Sequence, residues 1–297
     1  MCNIIVVLPA LNEEKTIGDV LDKISEIRIK NAVINTLVID DGSTDETAKI
    51  AMEKGAQVVS HRFNRGVGSA FQSGVKEAIV QRADILVNID SDGQFDPKYI
   101  PELVKPILAE EAGFVTASRF IDNGKIKMSK IKKWGNYQVS RLVSSLTGQK
   151  IYDVSCGFRV YSRKAFLNLN LIGDFTYTHE AILTLAFRGF NIKEVPIPVR
   201  GTRKFGRSRV ASNLFKYAFH SIFIIIRSYR DYKPILTFGI PGVILTLVGF
   251  LLLVLFFIWS NVKGEWFPKS LAFTSAFSIL SGIIFFVIAL IADMFTR

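Results

Sequence analysis

Cysteine and histidine are scarce in this sequence of 297 residues, which contains two cysteines and three histidines. Cys2 and Cys156 alone exclude a disulfide framework and the cysteine spacing of a structural zinc site. His61 and His179 are too isolated to suggest a shared zinc ion, and we expect His220 to lie on a helix surface. Zinc proteins and disulfide-rich secreted domains are therefore disfavoured.

Acidic residues are also in deficit, because 37 lysines and arginines outnumber 26 aspartates and glutamates and give a net charge of +11. A basic protein can bind nucleic acid, but a basic protein beside a membrane is more often attracted to anionic lipids. Charged residues are absent from 234–262 and from 270–292, and each interval exceeds the roughly 20 apolar residues needed to cross a bilayer. The sequence therefore predicts a membrane hairpin, and we expect no nucleic-acid partner.

The charge-free intervals divide the chain into three predicted parts. We expect a large globular domain at 1–209, an amphipathic interfacial helix at 210–232 and a two-helix transmembrane hairpin at 233–297. The loop between the spans is short, whereas the basic domain and Arg297 lie on the other side of the hairpin. The positive-inside rule then places the large domain and both termini in the cytoplasm.

Strand and helix patterns alternate through the first part of the chain. Short apolar runs predict buried strands at 4–8, 36–39, 58–59 and 85–87. Alternation with helices at this spacing predicts an α/β fold with a mostly parallel sheet and helices on both faces. Sheets of this kind bind ligands at the carboxyl ends of their strands, where Glu13, Asp41 and Asp90 fall.

Two carboxylates, Asp90 and Asp92, follow the fourth predicted strand directly. Residues i and i+2 of an extended segment share a face, so both side chains can converge on one cation. Hard oxygen ligands that leave several positions open suit Mg²⁺ or Mn²⁺ bridging a substrate diphosphate. A solvated acidic turn is the alternative. A calcium loop is disfavoured, because Gly93 stands at position 4 from Asp90, whereas an EF-hand needs glycine at position 6.

Two common nucleotide-binding motifs are absent. Gly66 and Gly68 do not follow the first strand, and Phe71 occupies the position where a dinucleotide fingerprint has its third glycine. The glycine-rich loop that ends in Gly-Lys-Ser/Thr is also missing from the sequence. The chain is therefore neither a Rossmann dehydrogenase nor a P-loop protein by its motifs.

Four segments in order, 9–14, 40–45, 64–70 and 90–94, resemble the signatures of family-2 glycosyltransferases with the GT-A fold. They read Pro-Ala-Leu-Asn-Glu-Glu, Asp-Asp-Gly-Ser-Thr-Asp, Asn-Arg-Gly-Val-Gly-Ser-Ala and Asp-Ser-Asp-Gly-Gln. Further on, 153–159 and the stretch from 194 to 209 resemble the polyprenyl-phosphate branch. That branch includes dolichol-phosphate mannose synthase and bacterial relatives, some with a C-terminal membrane hairpin. The resemblance spans nearly the whole chain and implies that the domain at 1–209 is a GT-A catalytic domain.

The resemblance also implies a role for individual positions. The residues expected to bind the nucleotide-sugar are Pro9, Leu11, Glu13, Asp41, Ser91 and Gln94. Asp90, Asp92 and Gln94 are expected to hold the metal and the diphosphate, and Arg119 is expected to face the acceptor phosphate. Asp153 is a weak candidate for a catalytic base, and it could instead orient Arg159 or the donor sugar. Cys156 stands where the family pattern suggests a small residue, often serine.

Two basic segments remain. Five of the nine residues at 125–133 are lysine, which predicts either a solvated loop or a phosphate-binding surface. The second segment, 200–209, is interleaved with glycine and precedes the membrane region. Arginine suits bidentate phosphate contacts, so we expect this segment to close as a lid over the diphosphate or the lipid phosphate. The arginines expected to contact phosphate there are Arg200, Arg203, Arg207 and Arg209.

The resemblance implies a membrane-anchored enzyme that moves a sugar from a UDP- or GDP-linked donor to polyprenyl or dolichyl phosphate, with inversion and with Mg²⁺ or Mn²⁺. A processive polysaccharide synthase is the first alternative, but its Gln-x-x-Arg-Trp motif is absent. A sugar nucleotidyltransferase would need a glycine-rich basic loop after the first strand, where this chain is acidic. A non-enzymatic membrane-tethered scaffold is the remaining alternative. A homo-oligomer could form through small residues of the spans, for which Gly239, Gly242 and Gly249 are available.

Overall fold

The computed structural model describes residues 1–121, 130–171, 177–199, 214–263 and 269–296. Two compact units divide the chain, Met1–Ile225 and Ile226–Arg297. The division at 209 and 232 that the sequence suggests remains a prediction.

A mixed sheet forms the framework of the first unit, and the described residues contribute seven strands in the order β3-β2-β1-β4-β6-β5-β7. The strands are β1 (Cys2–Ala10), β2 (Ala32–Asp40), β3 (Gln57–Ser60), β4 (Ile85–Asn88), β5 (Phe114–Ser118), β6 (Arg159–Ser162) and β7 (Ile192–Pro196). Strands β1 to β4 are parallel, β6 runs antiparallel to both β4 and β5, and β7 is parallel to β5. The predicted mostly parallel α/β fold is therefore confirmed, with one reversed strand in its middle.

Helices cover both faces of the sheet, as the continuous apolar sequence of β1 predicts for a strand buried on two sides. The helices of the unit are α1 (Ile17–Ser25), α2 (Thr47–Glu53), α3 (Val67–Val80), α4 (Ile100–Leu108), α5 (Lys130–Thr147), α6 (Arg163–Leu167) and α7 (Thr178–Phe187), followed by α8 (Leu214–Tyr232), which continues into the second unit. Ile4, Val6 and Leu8 of β1 pack in the core that includes α1 and α4, whereas Ile5 and Val7 pack in the core that includes α3 and α7. The alternation of side chains along the strand thus divides the interior into two layers.

Strand β1 is longer than the sequence suggests, because it continues through Pro9 to Ala10. The ladder between β1 and β4 ends at the pair Val7–Asn88, so Pro9 has a strand partner only in β2. A proline is tolerated where one side of the ladder has ended, since it has no N–H to donate there. Beyond these pairs the ends of β1, β2 and β4 open into loops at one edge of the sheet.

Two apolar helices, α9 (Ile240–Lys263) and α10 (Lys269–Thr296), pack against each other in the second unit. Both are long and apolar enough to cross a membrane. A Cβ built on Gly282 would lie 2.6 Å from the carbonyl oxygen of Gly242, and one on Gly249 would lie 2.8 Å from the backbone nitrogen of Ile279. Backbone therefore meets backbone in the hairpin. Gly242 and Gly249, which the sequence offered for oligomerisation, lie in this contact between the two helices of one chain.

Helix α8 carries an exposed apolar side. Phe219, Ile222, Phe223 and Ile226 are each more than half exposed, whereas Ser221 and Ile225 are buried. An unburied row of large apolar side chains is what an interfacial helix requires. Its position at a membrane surface remains a prediction.

Candidate active site

The loops after β1 and β2 are bonded to each other. Asn12 takes a left-handed backbone conformation with φ of 52°, and its N–H donates to the Ser43 hydroxyl at 2.9 Å. The Asn12 side-chain oxygen accepts from the N–H of Thr44 at 2.8 Å, and the N–H of Glu13 donates to the Thr47 hydroxyl at 2.8 Å. Asparagine tolerates this conformation better than most residues. Neutral bonds between side chains and backbone therefore fix the edge where Pro9, Leu11 and Glu13 lie.

The carboxylate of Asp41, which follows β2 directly, is hydrogen-bonded to backbone N–H groups and to a histidine of the same domain. It is 3% exposed and accepts from the N–H groups of Arg65 and Gly66 at 2.9 and 2.8 Å, and it bonds His61 Nδ1 at 2.7 Å. The other ring nitrogen of His61 lies 2.9 Å from the Ser73 hydroxyl. Asp41 thus orders the loop that leads into α3. Its predicted contact with the nucleotide remains a prediction.

Asp90 and Asp92 lie in the loop that follows β4, as the sequence predicts. Between them, the Ser91 hydroxyl donates to the Pro9 carbonyl oxygen at 2.8 Å and ties this loop to the end of β1. The Asp92 side chain is almost buried and accepts from the N–H of Gln94 at 3.0 Å. This bond closes a tight turn that sets Gln94 beside the acidic pair.

Gly157 makes room for the carboxylate of Asp90. A Cβ built on Gly157 would stand 2.6 and 2.7 Å from the two carboxylate oxygens, which is closer than any real side chain approaches. The Gly157 carbonyl oxygen accepts from the buried Asn88 side chain at 2.8 Å. Asn88 also donates to the Tyr177 hydroxyl at 2.7 Å, and the Tyr177 ring stacks on Phe71 at 4.1 Å. Gly157 is therefore held against the end of β4.

The acidic loop fits a metal ion shared with substrate. Within the described ranges no group of three or more histidine, cysteine, aspartate or glutamate side chains could hold a metal ion. Asp90 and Asp92 offer two carboxylates and Gln94 an amide oxygen in this loop, and their role as metal ligands remains a prediction. Mg²⁺ is usually bound in this manner, through one or two carboxylates with water and substrate phosphate oxygens in the other positions.

Arg119 follows β5 and forms a bidentate ion pair with Asp153. Its Nε and Nη2 atoms donate to the two Asp153 carboxylate oxygens at 2.6 and 2.8 Å, and Nη2 also donates to the Ser155 hydroxyl at 2.6 Å. Asp153 is fully buried, whereas the Arg119 side chain is 16% exposed. Both carboxylate oxygens of Asp153 bind Arg119, and Arg159, which the sequence offered as a partner, does not bond to them. A role of Asp153 as a base or in orienting the donor sugar remains a prediction.

Arg159 binds backbone carbonyl oxygens and not Asp153. The side chain is fully buried and donates to three backbone carbonyl oxygens, those of Cys156 and Thr178 at 2.7 Å and that of Val154 at 3.0 Å. The planar fork of a guanidinium suits several fixed acceptors at once. Arg159 thus braces the segment 153–157, which carries both the Arg119 partner and the glycine beneath Asp90.

Glu194 of β7 is a site residue that the sequence analysis did not single out. Its carboxylate accepts from the backbone N–H groups of Tyr152 at 2.7 Å and Asp153 at 2.9 Å. Burial, with a smaller effect from the Asp153 charge, raises the pKa of Glu194 to about 7, although the N–H donors and the Ser118 hydroxyl act in the opposite direction. The signal available in the sequence was the place of Glu194 at the start of the stretch from 194 to 209, which resembles the polyprenyl-phosphate branch.

Two further titratable side chains near this segment are inert. Burial raises the pKa of the Cys156 thiol to about 12, so the residue acts as a small apolar group, in keeping with the small residue that the family pattern has there. Burial and then the Arg159 charge lower the pKa of His179 to about 4, which leaves the imidazole neutral at physiological pH. The predicted phosphate contacts Arg200, Arg203, Arg207 and Arg209 lie outside the described residues, as does most of the lysine-rich segment.

Comparisons with known proteins identify the family and the relatives of this chain. Residues 5–169 match the family described as Glycosyl transferase family 2. The chain is 31% identical over 215 residues to the UDP-N-acetylglucosamine–dolichyl-phosphate N-acetylglucosaminyltransferase of Methanococcus voltae, with 65% of this chain and 84% of that protein covered. It is 29% identical over 298 residues to glycosyltransferase AglJ of Haloferax volcanii, with 97% and 92% covered. The crystal structure of glucosyl-3-phosphoglycerate synthase from Mycobacterium tuberculosis with Mn²⁺, UDP-glucose and phosphoglyceric acid matches with a TM-score of 0.61 and 26% identity, covering 76% of this chain and 79% of that one.

Proposed function

This chain belongs to glycosyl transferase family 2, and we propose that it transfers a sugar from a nucleotide-sugar to a polyprenyl or dolichyl phosphate at a membrane surface. One observation carries the proposal. The segment 153–157 reaches both functional groups, because Gly157 lies under the Asp90 carboxylate while Asp153 and Ser155 hold Arg119. Five consecutive residues therefore contact both the acidic loop, which is suited to a metal-bound diphosphate, and the Arg119 cation, which is suited to a second phosphate.

The donor is proposed to bind along the ends of β1, β2 and β4. Pro9, Leu11, Glu13, Asp41 and Ser91 would surround the base, ribose and sugar, and a UDP or GDP donor fits this assignment. The name of the Methanococcus voltae relative includes a UDP-sugar, and the Mycobacterium tuberculosis neighbour was crystallised with UDP-glucose. Both support a nucleotide-sugar donor for this chain.

Asp90, Asp92 and Gln94 would hold Mg²⁺ or Mn²⁺ against the donor diphosphate. When bound, such an ion stabilises the negative charge of a departing nucleoside diphosphate. The protein's own part is to fix the two carboxylates, through the Ser91 bond to Pro9, the turn at Asp92 and the space left by Gly157. The solved neighbour with Mn²⁺ supports a divalent ion here.

The acceptor phosphate is proposed to bind at Arg119. A phosphate monoester has a second pKa of about 6, so it is largely dianionic at neutral pH and is itself a nucleophile. A protein base is then unnecessary, which agrees with an Asp153 carboxylate that is wholly engaged with Arg119. Attack on the face opposite the diphosphate would invert the anomeric carbon. The arginines of 200–209 would close over the two phosphates.

The two apolar helices would anchor the enzyme beside its lipid acceptor, with the catalytic domain and both termini in the cytoplasm. The relative from Methanococcus voltae is named for a dolichyl-phosphate acceptor, which supports a lipid phosphate for this chain. A reporter fused after Arg297 is expected on the cytoplasmic side, and one inserted at Gly264 on the opposite side. The reverse pattern would contradict this orientation.

The decisive experiment is turnover by the full-length protein in lipid vesicles. Polyprenyl phosphate, a panel of UDP- and GDP-sugars and Mg²⁺ or Mn²⁺ are supplied, and lipid products are read by mass. We expect one sugar to be added per lipid, and we expect EDTA or Asp92→Asn to remove most of the activity. Glu53→Gln, which changes an exposed glutamate of α2, is the matched control and should be fully active.

Each alternative predicts a different result in the same assay. Lipids carrying ladders of many sugars would indicate a processive synthase. Nucleotide binding without any product, across the whole panel, would indicate a tethered scaffold. Full activity in EDTA would exclude the metal role of Asp90 and Asp92.

A further inference from the structure

We propose that Glu194 is a positioning residue for the acceptor-phosphate site, because it fixes the backbone from which Asp153 holds Arg119. The proposal rests on the proposed function, in which Arg119 binds the acceptor phosphate. Glu194 itself would touch no substrate. Its effect would pass through Tyr152 and Asp153.

Strand β7 is connected to both members of the Arg119–Asp153 pair. Ser118 pairs with Pro196 in the β5–β7 ladder, and the Ile197 N–H donates to the Ser118 carbonyl oxygen at 3.1 Å, immediately before Arg119. On the other side, the Glu194 carboxylate accepts the N–H of Asp153 at 2.9 Å. One strand therefore sets the distance between the cation and its carboxylate partner.

The segment before Asp153 is held from two directions. The Tyr152 N–H donates to Glu194 at 2.7 Å, while the Tyr152 carbonyl oxygen accepts from the Asn136 amide and the Ser140 hydroxyl of α5, each at 3.0 Å. Two N–H groups and one carboxylate form a bidentate contact, whose loss would leave a backbone group without its partner. Removing a carboxylate from such a contact weakens the order of the segment without emptying the core.

The charge state of Glu194 affects the strength of this contact. The groups that face it are the Asp153 carboxylate, with Arg119 bound to it, and the Ser118 hydroxyl on β5. A carboxylate accepts at both oxygens, whereas a protonated carboxyl group has one oxygen that donates. These bonds favour the carboxylate, but burial outweighs them and raises the pKa of Glu194 to about 7, so the closed segment is expected to open more readily as pH rises through 7.

Hydrogen exchange tests the contact directly. In Glu194→Gln, which keeps the shape of the side chain, we expect the amides of Tyr152 and Asp153 to exchange at least tenfold faster, while β1 amides are unchanged. Lys193→Gln is the matched control, because Lys193 directly precedes Glu194 on β7, but its ammonium group pairs with the exposed Glu111 at 2.6 Å on the opposite face of the strand. Unchanged exchange at Tyr152 and Asp153 in Glu194→Gln would overturn the proposal.

Kinetics test whether the effect passes through Arg119. We expect Glu194→Gln to lower kcat/KM for the acceptor at least tenfold and to leave the Kd for the nucleotide-sugar within twofold. In an Arg119→Ala background the same substitution should cause no further loss, because residues that act through one another are not additive. A full additional loss there would overturn the proposal.

The two arms separate this proposal from the proposed function. Absence of any transfer by the wild-type protein would refute the function, whereas the exchange arm does not depend on turnover and still decides the Glu194 contact. If Glu194→Gln does not fold, the wild type supplies the same test. Protection of the two amides, corrected for intrinsic exchange, should then be higher at pH 6 than at pH 8, because opening the contact returns Glu194 to water and is favoured once the group is deprotonated, and equal protection would overturn the proposal.

Discussion

The two halves of the candidate site are built by different interactions. In the donor half, at the ends of β1, β2 and β4, the loops are held by single bonds, such as the neutral bonds of Asn12 with Ser43 and Thr44, and by the carboxylates of Asp41 and Asp92, which accept backbone N–H groups. The acceptor half, around β5 and β7, is held by the ion pair between Arg119 and the buried Asp153. The Asp153 backbone N–H in turn donates to Glu194. Neutral bonds contribute about 1 kcal/mol each, whereas breaking a buried ion pair leaves an uncompensated charge. The acceptor half should therefore be the more fragile.

The largest effect is expected at the junction of the halves. Gly157→Ala would place a methyl group 2.6–2.9 Å from the Asp90 carboxylate, and the short aspartate side chain can relieve this contact only by rotating away. We expect transfer to fall at least a hundredfold while the thermal midpoint changes little. Gly135→Ala on α5, where a new Cβ meets nothing within 4 Å, is the control and should keep its activity. A fully active Gly157→Ala would show that Asp90 need not lie where the structure places it.

The ion pair gives the next largest effect. Asp153→Asn leaves Arg119 without its charged partner in a site where the carboxylate was fully buried. We expect the free energy of unfolding of the full-length protein to fall by about 3 kcal/mol, as measured by denaturant titration in detergent.

A double variant sharpens this prediction. Combining Asp153→Asn with Arg119→Gln removes both charges, and the pair should be more stable than Asp153→Asn alone. If the double variant were the less stable, the contact geometry and not the charge would hold the acceptor half.

The same contrast explains what the sequence could predict. Asp90 and Asp92 stand together in one loop, and the parallel strands that precede Glu13, Asp41 and Asp90 could be recognised from apolar runs. The acceptor half joins residues 34 and 41 positions apart, which lie after β5, before the reversed strand β6 and on β7. No local pattern specifies that reversal, so Arg119 was not predicted as the partner of Asp153, and Glu194 was not identified as a site residue.

The dependence of stability on pH is a third test of the contrast. The folded pKa of Glu194, about 7, lies above its ordinary value of 4.5, so the stability that this group contributes is complete below 4.5 and is lost as pH rises through 7. We expect the stability of the wild type relative to Glu194→Gln to fall by about 2 kcal/mol between pH 4.5 and pH 8. Lys193→Gln should follow the wild type. A constant difference across this range would mean that Glu194 titrates as an exposed glutamate does.

The smallest effect is expected in the donor half. Ser43→Ala removes the hydroxyl that accepts the Asn12 N–H, and this partly buried N–H loses its partner in the protein. Because the bond is neutral and water can reach the loop, we expect stability to fall by about 1 kcal/mol. The KM for the nucleotide-sugar should rise severalfold, since Asn12 precedes Glu13, and the KM for the lipid phosphate should not change.

Thr44→Ala is the control for Ser43→Ala, because it alters the same loop without removing the bond between the Asn12 N–H and the Ser43 hydroxyl. The Thr44 backbone N–H donates to Asn12 at 2.8 Å and survives the substitution, whereas the Thr44 hydroxyl is 3.5 Å from the same oxygen, near the limit of a hydrogen bond. Thr44→Ala should therefore leave both KM values and stability near those of the wild type. If Ser43→Ala instead cost as much as Asp153→Asn, the donor half would be no more tolerant than the acceptor half, and the proposed difference between single loop bonds and a buried ion pair would be wrong.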